Sequence, residues 1–464
     1  MSTVALLACA PLLLAASPPS QAVTLGQAPG ARSATPRSAT YLTPAALGGE
    51  AYDPFAPPVV SLGLVGPNTF LYQLNLPERR WKEEFAVVRP DPAANFPVPY
   101  PVLTLFHGYG ETPQAVLNST ALATEAANRG WIVIVPLCAH IFSYGIDYGQ
   151  DNIEDVFEFV QALAPLDLDR VYAVGFSMGG GAAVSYAARH LDPQHVRIAA
   201  VVNHTGSTSL RNTYEAAGIQ AVFESPLMFS ASPSAAPFRY QLSSAIDLKP
   251  GLIVDPETDM VRNLLHVPVL HYTASSDPLQ YLSSQSFQTH LRLLFWGGTS
   301  TWNSVNSAAH SWSTLPLTIL DDLEQLTLEA PTPGSAAPIL ADRDGRWHAY
   351  EVRQARSKRF SSFQARTSPA NNRVELTDLD NVRSIGFAID DATLGLRYDR
   401  DLALHVQSRT AASFEVAVSH KSAPPSAVIR EGVTTTAWTY SATNQTLTLY
   451  EVDAALGATW TIRP

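Results

Sequence analysis

The strongest constraint on the fold of this chain is an alternation of apolar runs with amphipathic segments between residues 66 and 325. The runs at 102–106, 131–135 and 171–174 are almost entirely apolar and have the length of strands. The segment at 152–163 repeats apolar residues at helical spacing. Buried strands separated by helices predict an α/β fold, in which helices cover both faces of a mostly parallel sheet. By the same reasoning we expect further strands at 198–202, 267–272 and 291–295, and helices near 113–129 and 182–189.

The pattern changes at residues 329–340, which are rich in Pro, Ala and Ser and are typical of a linker. Beyond this segment polar and apolar residues alternate, for example at 348–353 and 438–441. A period of two is typical of half-buried strands. We therefore predict an α/β domain at 66–328 and a C-terminal all-β, sandwich-like domain at 341–464.

The N-terminus has the pattern of a secretory signal. A short apolar stretch is followed by small residues, which predicts a signal peptide at 1–22, and the Pro- and Ala-rich residues 23–65 then form a flexible leader. We expect a secreted or periplasmic protein. Residues 6–9 also resemble a lipoprotein box, which leaves lipid anchoring as an alternative.

The composition excludes several partners. A net charge of −11 argues against nucleic acid as a partner, because phosphate binding needs a basic surface. No apolar run is long enough to form a transmembrane segment. The two cysteines, Cys9 and Cys138, cannot form a Cys-x-x-Cys zinc site, and we expect no metal.

The main chemical signal is the sequence Gly-Phe-Ser-Met-Gly at 175–179. It follows the predicted strand at 171–174 and precedes the predicted helix at 182–189. A sharp strand-to-helix turn exposes a serine hydroxyl, and it needs small residues two positions before and after the serine. Ser177 is therefore the candidate nucleophile. The alternative is a glycine-rich turn that only allows close packing.

A serine hydroxyl needs a base, usually a histidine oriented by a carboxylate. Asp277 follows the predicted strand at 267–272, and His310 lies on a polar loop late in the domain. Hydrolases that present their serine on a turn between a strand and a helix have the chain order Ser, acid, His. An Asp that caps the turn before Pro278 is the alternative for Asp277. Other candidates are less well placed. Asp259 precedes the strand, and His271 and His290 are better explained as structural residues. His140 and His204 follow strands and could line the cleft.

An oxyanion intermediate needs two N–H donors. One should be that of Met178, directly after the nucleophile. The other should come from the loop at 107–110, with Tyr109 favoured and Gly108 second. Gly108 and Trp312 are candidate residues of the substrate cleft. Trp296, Trp302 and Trp312 are equally well explained as a cleft wall or as core packing.

Together these motifs resemble those of the α/β-hydrolases over residues 66–325. The elbow at 175–181 and Tyr109 are similar to those of dienelactone-hydrolase-like esterases and bacterial cutinase-like polyester hydrolases. The resemblance implies hydrolysis of carboxylic esters without a metal or cofactor, with Ser177, Asp277 and His310 as the triad and Tyr109 and Met178 as oxyanion donors. Phe176 departs from the polyester enzymes, which usually have His there, and the C-terminal disulfide that they often carry cannot form.

We therefore predict a secreted serine esterase whose substrate is a small-molecule or polymeric ester. The C-terminal domain could bind a polymer or a surface, or pack on the catalytic domain. Two alternatives stay open. Prolyl-oligopeptidase-like serine peptidases have a similar elbow, and a hydrolase scaffold can also serve as a non-catalytic binding protein.

Overall fold

The computed structural model of this protein describes residues 49–329, 331, 337–409, 414–450 and 457–464. The predicted signal peptide at 1–22 and most of the predicted leader lie outside these residues. All described residues belong to one compact unit. No helix within the described ranges is both long and apolar enough to cross a membrane.

The first part of the chain forms a nine-stranded sheet in the order β1-β2-β3-β5-β4-β6-β7-β10-β11. The last six strands of this order are parallel, and the first three are antiparallel additions at one edge. The predicted mostly parallel sheet is confirmed. Its strands are β1 (Val59–Gly66), β2 (Thr69–Leu74), β3 (Glu83–Val88), β4 (Tyr100–Phe106), β5 (Ile132–Pro136), β6 (Leu166–Phe176), β7 (Ala200–His204), β10 (Val269–Ala274) and β11 (Ser300–Val305).

Helices cover both faces of this sheet, and a small hairpin of β8 and β9 lies in the segment between β7 and β10. Side chains alternate along β4, so that Val102 and Phe106 pack with α3 and α4, while Leu103 and Leu105 pack with α1, α2 and α9. The elements are α1 (Pro113–Ser119), α2 (Leu122–Asn128), α3 (Asp147–Leu163), α4 (Met178–Arg189), α5 (Leu210–Ala216), α6 (Gln220–Phe223), α7 (Pro237–Leu242), β8 (Leu248–Lys249), β9 (Ile253–Val254), α8 (Gln280–Trp296) and α9 (Ile319–Glu324).

The prediction of a strand at 291–295 is wrong, because these residues form the last turns of α8. The buried face of this helix is largely polar. Ser286 Oγ accepts a hydrogen bond from the backbone N–H of Gly206 at 3.0 Å, and Gln285 Oε1 accepts one from the N–H of Ser209 at 2.9 Å. The true strand, β11, lies in the segment that we expected to be a loop.

Two predicted boundaries also need correction. Residues 59–65 belong to β1 rather than to a flexible leader, because β1 pairs with β2. Residues 337–340 belong to a strand rather than to the linker, because β12 (Ala337–Ala341) pairs with β15 (Ser361–Ser368). The sequence predicts loops in both segments because Pro and small residues dominate the stretches next to them.

The C-terminal part is a β-sandwich, which confirms the predicted all-β domain. Its sheets have the strand orders β12-β15-β16-β18-β24-β20-β21 and β13-β14-β17-β19-β23-β22. The remaining strands are β13 (Gly345–Trp347), β14 (Tyr350–Gln354), β16 (Arg373–Asp380), β17 (Val382–Ala388), β18 (Leu402–Ser408), β19 (Glu415–Ser419), β20 (Ala427–Arg430), β21 (Val433–Thr434), β22 (Trp438–Ser441), β23 (Thr446–Leu449) and β24 (Ala458–Arg463).

The sandwich shares its core with the α/β domain. The amide group of Asn263 exchanges two hydrogen bonds of 2.9 Å with the backbone of Leu340. Arg189, at the end of α4, forms a fully buried ion pair with Asp342. The two layers are therefore joined by specific polar contacts as well as by apolar packing.

Candidate active site

Ser177 lies at the turn between β6 and α4. Its backbone has φ 55° and ψ −117°, a strained conformation that projects the side chain out of the turn. A Cβ on Gly175 would overlap with the carbonyl oxygen of Gly179, and a Cβ on Gly179 would overlap with that of Phe106. The two glycines are thus required by the turn that presents Ser177.

The structure brings Ser177, His310 and Asp277 together in one hydrogen-bonded line. The Oγ atom of Ser177 lies 2.8 Å from Nε2 of His310, and Nδ1 of His310 lies 2.8 Å from Oδ2 of Asp277. Asp277 is buried, and its Oδ1 accepts the backbone N–H of Leu279 at 2.7 Å. These bonds fix the carboxylate and orient the imidazole toward the serine.

The loop after β4 carries an N–H group that has no partner among the described residues. The N–H of Gly108 donates to Oε2 of Glu111 at 2.7 Å and is therefore occupied. The N–H groups of Tyr109 and Met178 make no hydrogen bond with any described residue. Of the two loop candidates, the geometry thus favours Tyr109 over Gly108 as the second oxyanion donor.

Glu111 is a site residue that the sequence reasoning missed. Besides Gly108, its Oε2 accepts the indole Nε1–H of Trp312 at 3.0 Å. Trp312 is only 2% exposed and supports the loop behind His310, so it does not form the wall of an open cleft. A glutamate in a polar loop carries no motif, and its role follows only from the three-dimensional contacts.

A second set of contacts involves the ring of His310 and the segment that follows it. Phe176, next to Ser177, packs its ring 4.6 Å from that of His310 and 5.0 Å from that of His204. The hydroxyl of Thr314 donates to the carbonyl of Ser311 at 2.8 Å and so accepts from Nε2 of His204 at 2.7 Å. Burial lowers the pKa of His204 to about 3. His204 is therefore neutral and buried, and it does not line the cleft.

The other sequence candidates lie elsewhere. Asp259 forms an ion pair of 2.6 Å with Arg292. It lies before the start of β10, whereas Ser177 follows the end of β6. His271 bonds to Asn203 at 3.0 Å within the sheet, His290 lies on α8, and His140 contacts Tyr148.

Of the two explanations for the tryptophans, packing holds for Trp296 and Trp302. Trp296 ends α8, and Trp302, on β11, packs against Phe287 of α8. The aromatic ring beside the oxyanion loop is that of Tyr109, which is 43% exposed and packs 4.5 Å from Phe142.

Comparison with known proteins identifies the fold of the first domain. Residues 105–230, which begin at the end of β4 and include the elbow and Ser177, match the family model of the alpha/beta hydrolase fold. The first domain has the α/β-hydrolase fold. No curated protein sequence matches the chain significantly.

Several solved structures are similar to the α/β-hydrolase domain. FphF, a fluorophosphonate-binding serine hydrolase of Staphylococcus aureus, is 15% identical with a TM-score of 0.42, over 56% of this chain and 99% of that one. An S-formylglutathione hydrolase from Agrobacterium tumefaciens is 14% identical with a TM-score of 0.42, over 57% and 96%. A fungal esterase from Rhizomucor miehei is 13% identical with a TM-score of 0.42, over 61% and 87%.

Proposed function

We propose that this protein is a serine hydrolase that cleaves carboxylic esters through an acyl-enzyme. The observation that carries the proposal is the hydrogen-bonded line from Ser177 through His310 to Asp277, with both bonds at 2.8 Å. A serine, a histidine and a buried carboxylate in this arrangement are the parts that nucleophilic acyl transfer requires.

In the first half-reaction Oγ of Ser177 attacks the ester carbonyl while Nε2 of His310 takes its proton. The tetrahedral oxyanion lies against the N–H groups of Met178 and Tyr109, at the N-terminus of α4, where the helix dipole favours negative charge. His310 then gives the proton to the leaving alcohol. In the second half-reaction water takes the place of the alcohol, and the carboxylic acid is released.

The contacts of two site carboxylates favour an ester over a peptide with a free N-terminus. Such a peptide would place an ammonium group near the triad, and this group needs a carboxylate partner. Of the four oxygens of Asp277 and Glu111, only Oε1 of Glu111 has no hydrogen bond to a described residue. The peptidase and the non-catalytic binding protein remain as outcomes of the test.

We further propose that the protein is exported and that its ester is part of a polymer. The signal-like N-terminus supports export, and the exposed ring of Tyr109 beside the oxyanion loop supports an open site that a chain could enter. N-terminal sequencing of the protein recovered from the medium or periplasm tests export. Product release from insoluble polyester particles and from soluble p-nitrophenyl butyrate tests the preference for polymer.

The decisive experiment compares wild-type protein with Ser177→Ala. We expect p-nitrophenyl butyrate turnover to fall by about a million-fold, as for loss of a triad nucleophile. A fluorophosphonate probe should label the wild type and the control variant Ser119→Ala, which changes an exposed serine on α1, but not Ser177→Ala. Labelling of Ser177→Ala, or its normal turnover, would exclude Ser177 as nucleophile. Faster cleavage of a peptide p-nitroanilide than of the ester would favour the peptidase.

A further inference from the structure

A groove of about 400 Å³ lies between the α/β-hydrolase domain and the sandwich. Its walls include Arg262 and Trp296 from the first domain and Lys358 and Arg359 from the second. Trp296 ends α8 just before β11 begins, whereas Ser177 follows the carboxyl end of the parallel strand β6. The groove is therefore at the opposite end of the sheet from the triad and is not part of that site.

Arg262 is held in place in this groove without a carboxylate partner. Its guanidinium lies over the ring of Trp296, with Cζ 4.5 Å from the ring centroid. Its Nε donates to the carbonyl of Asp259 at 3.2 Å, and its Nη2 donates to the carbonyl of Pro256. Among the described residues Arg262 forms no ion pair, because the carboxylate of Asp259 is engaged by Arg292 at 2.6 Å.

The other charges of the groove leave an excess of positive charge. Lys358 forms no ion pair with any described residue. Arg409 forms a long ion pair, of 3.7 Å, with the exposed carboxylate of Asp378, and such a pair offsets little of its charge. Arg359 is paired with Asp380 at 2.7 Å. Glu257 is the remaining carboxylate of the walls. A basic groove is unusual for a chain with a net charge of −11.

Burial makes the positive charge of Arg262 costly to hold. Burial lowers the pKa of Arg262, the neighbouring guanidinium groups of Arg292 and Arg409 lower it further, and the carboxylates of Asp259 and Glu257 raise it. A half-buried guanidinium beside like charges gains from a bound anion, which replaces lost solvation and offsets the repulsion. The stacked and hydrogen-bonded Arg262 is also pre-oriented, and less entropy is lost when it binds.

We propose that the groove binds an anionic group, a carboxylate or a phosphate, of a ligand that contacts both domains. The Nε–H and one Nη2–H of Arg262 are occupied by backbone carbonyls, so the Nη1 group and the second Nη2–H would bind two oxygens of the anion. Lys358 would bind from the sandwich side. This binding site is separate from ester hydrolysis, and its existence does not depend on the reaction of Ser177.

Calorimetric titration of the full chain tests the site with three probes: trigalacturonate, inorganic phosphate and the neutral trisaccharide maltotriose. We expect at least one of the two anions to bind and maltotriose not to bind. The Kd of the anion should rise at least about tenfold in Arg262→Gln and in Lys358→Gln, because each variant removes one positive partner. Affinity should also fall as salt is added. The anion that binds identifies the source, a sugar acid or a phosphate.

The matched control is Arg353→Gln, which removes an exposed positive charge of the sandwich that does not line the groove. The Kd of the anion should be the same for Arg353→Gln as for the wild type. Lys358 is exposed, so its variant decides the question if Arg262→Gln has a lower Tm. Ester turnover should be unchanged in Lys358→Gln. Absence of binding by both anions, or an equal Kd in Lys358→Gln and Arg353→Gln, would overturn the proposal.

Discussion

Trp312 donates a 3.0 Å hydrogen bond from its indole Nε1 to Oε2 of Glu111. This bond joins the segment behind His310 to the loop after β4, since the same oxygen accepts the N–H of Gly108 at 2.7 Å. Gly108 directly precedes Tyr109, whose N–H is free. One carboxylate oxygen therefore sets the distance between the proposed base and the proposed oxyanion donor.

We predict that Glu111→Ala lowers kcat by about ten- to a hundredfold and changes KM much less. The substitution leaves the buried indole N–H without an acceptor, which costs about 1–3 kcal/mol, and releases the loop that carries Tyr109. Oxyanion donors act on the transition state, so their displacement reduces kcat. Steady-state kinetics on p-nitrophenyl butyrate measure the effect.

Trp312→Phe is the matched variant for this prediction. It keeps an aromatic ring beside Phe176, whose centroid is 5.4 Å from that of Trp312, and removes only one of the two donors to Glu111. We expect a smaller loss of kcat than in Glu111→Ala. A wild-type kcat in Glu111→Ala would show that this carboxylate does not hold the site.

The second prediction concerns the elbow. Gly179→Ala would place a Cβ inside contact distance of the carbonyl oxygens of Phe106 and His107, so that β4 and α4 could not both keep their positions. We expect little soluble protein, and no fluorophosphonate labelling of what is soluble. Gly386→Ala is the control, because the nearest atom to its Cβ would be Cβ of Glu351 at 3.5 Å. Normal labelling of Gly179→Ala would contradict the packing argument.

The elbow and the order of the triad could be predicted from the sequence because their signals are local. The spacing of Gly175, Ser177 and Gly179 is imposed by the turn itself. Asp277 could be predicted because it follows the end of a strand, and His310 because it lies on a polar loop late in the domain. Their contacts became visible only in the structure.

The error at 291–295 has a different cause. Leu291, Leu294 and Phe295 are exposed, while the buried face of α8 contains Gln285 and Ser286. Hydrophobic periodicity assumes that apolar residues face the core, and here polar residues share the buried face with Leu282 and Leu293. Hydrogen bonds to the segment after β7 and to α5 compensate for the burial of these polar groups, and no local sequence pattern predicts them.

The third prediction is a loss of stability in mild acid. Burial lowers the pKa of His140, His204 and His271 to about 3 each. The unfolded chain binds these protons near pH 6.5, so the unfolded state holds more protons than the folded state between about pH 3 and 6.5. The stabilisation is complete above about pH 6.5 and decreases as the pH falls, by about 1.4 kcal/mol per pH unit for each histidine.

Denaturant unfolding at several pH values between 4.5 and 8 measures this slope. The variant His271→Gln removes one of the histidines that gain a proton on unfolding. Its free energy of unfolding should therefore depend less steeply on pH than that of the wild type. The comparison uses slopes, so a uniform loss of stability in the variant does not affect it. Equal slopes in both proteins would mean that His271 does not contribute to the acid effect.

The last prediction concerns the joint between the two domains. Arg189 and Asp342 form an ion pair with side chains 2% and 0% exposed. Asp342→Ala leaves the arginine charge buried without its partner, which costs about 3–5 kcal/mol. We expect this loss in denaturant unfolding of the full chain.

The double variant Arg189→Met with Asp342→Leu separates the charge from the packing. It removes both charges and keeps apolar volume, and such replacements of buried pairs are close to neutral or stabilising. We therefore expect it to be more stable than Asp342→Ala alone, with ester turnover near that of the wild type because neither residue contacts the triad. If the double variant is as unstable as Asp342→Ala, the joint depends on the ion pair itself and not on the avoidance of an unpaired buried charge.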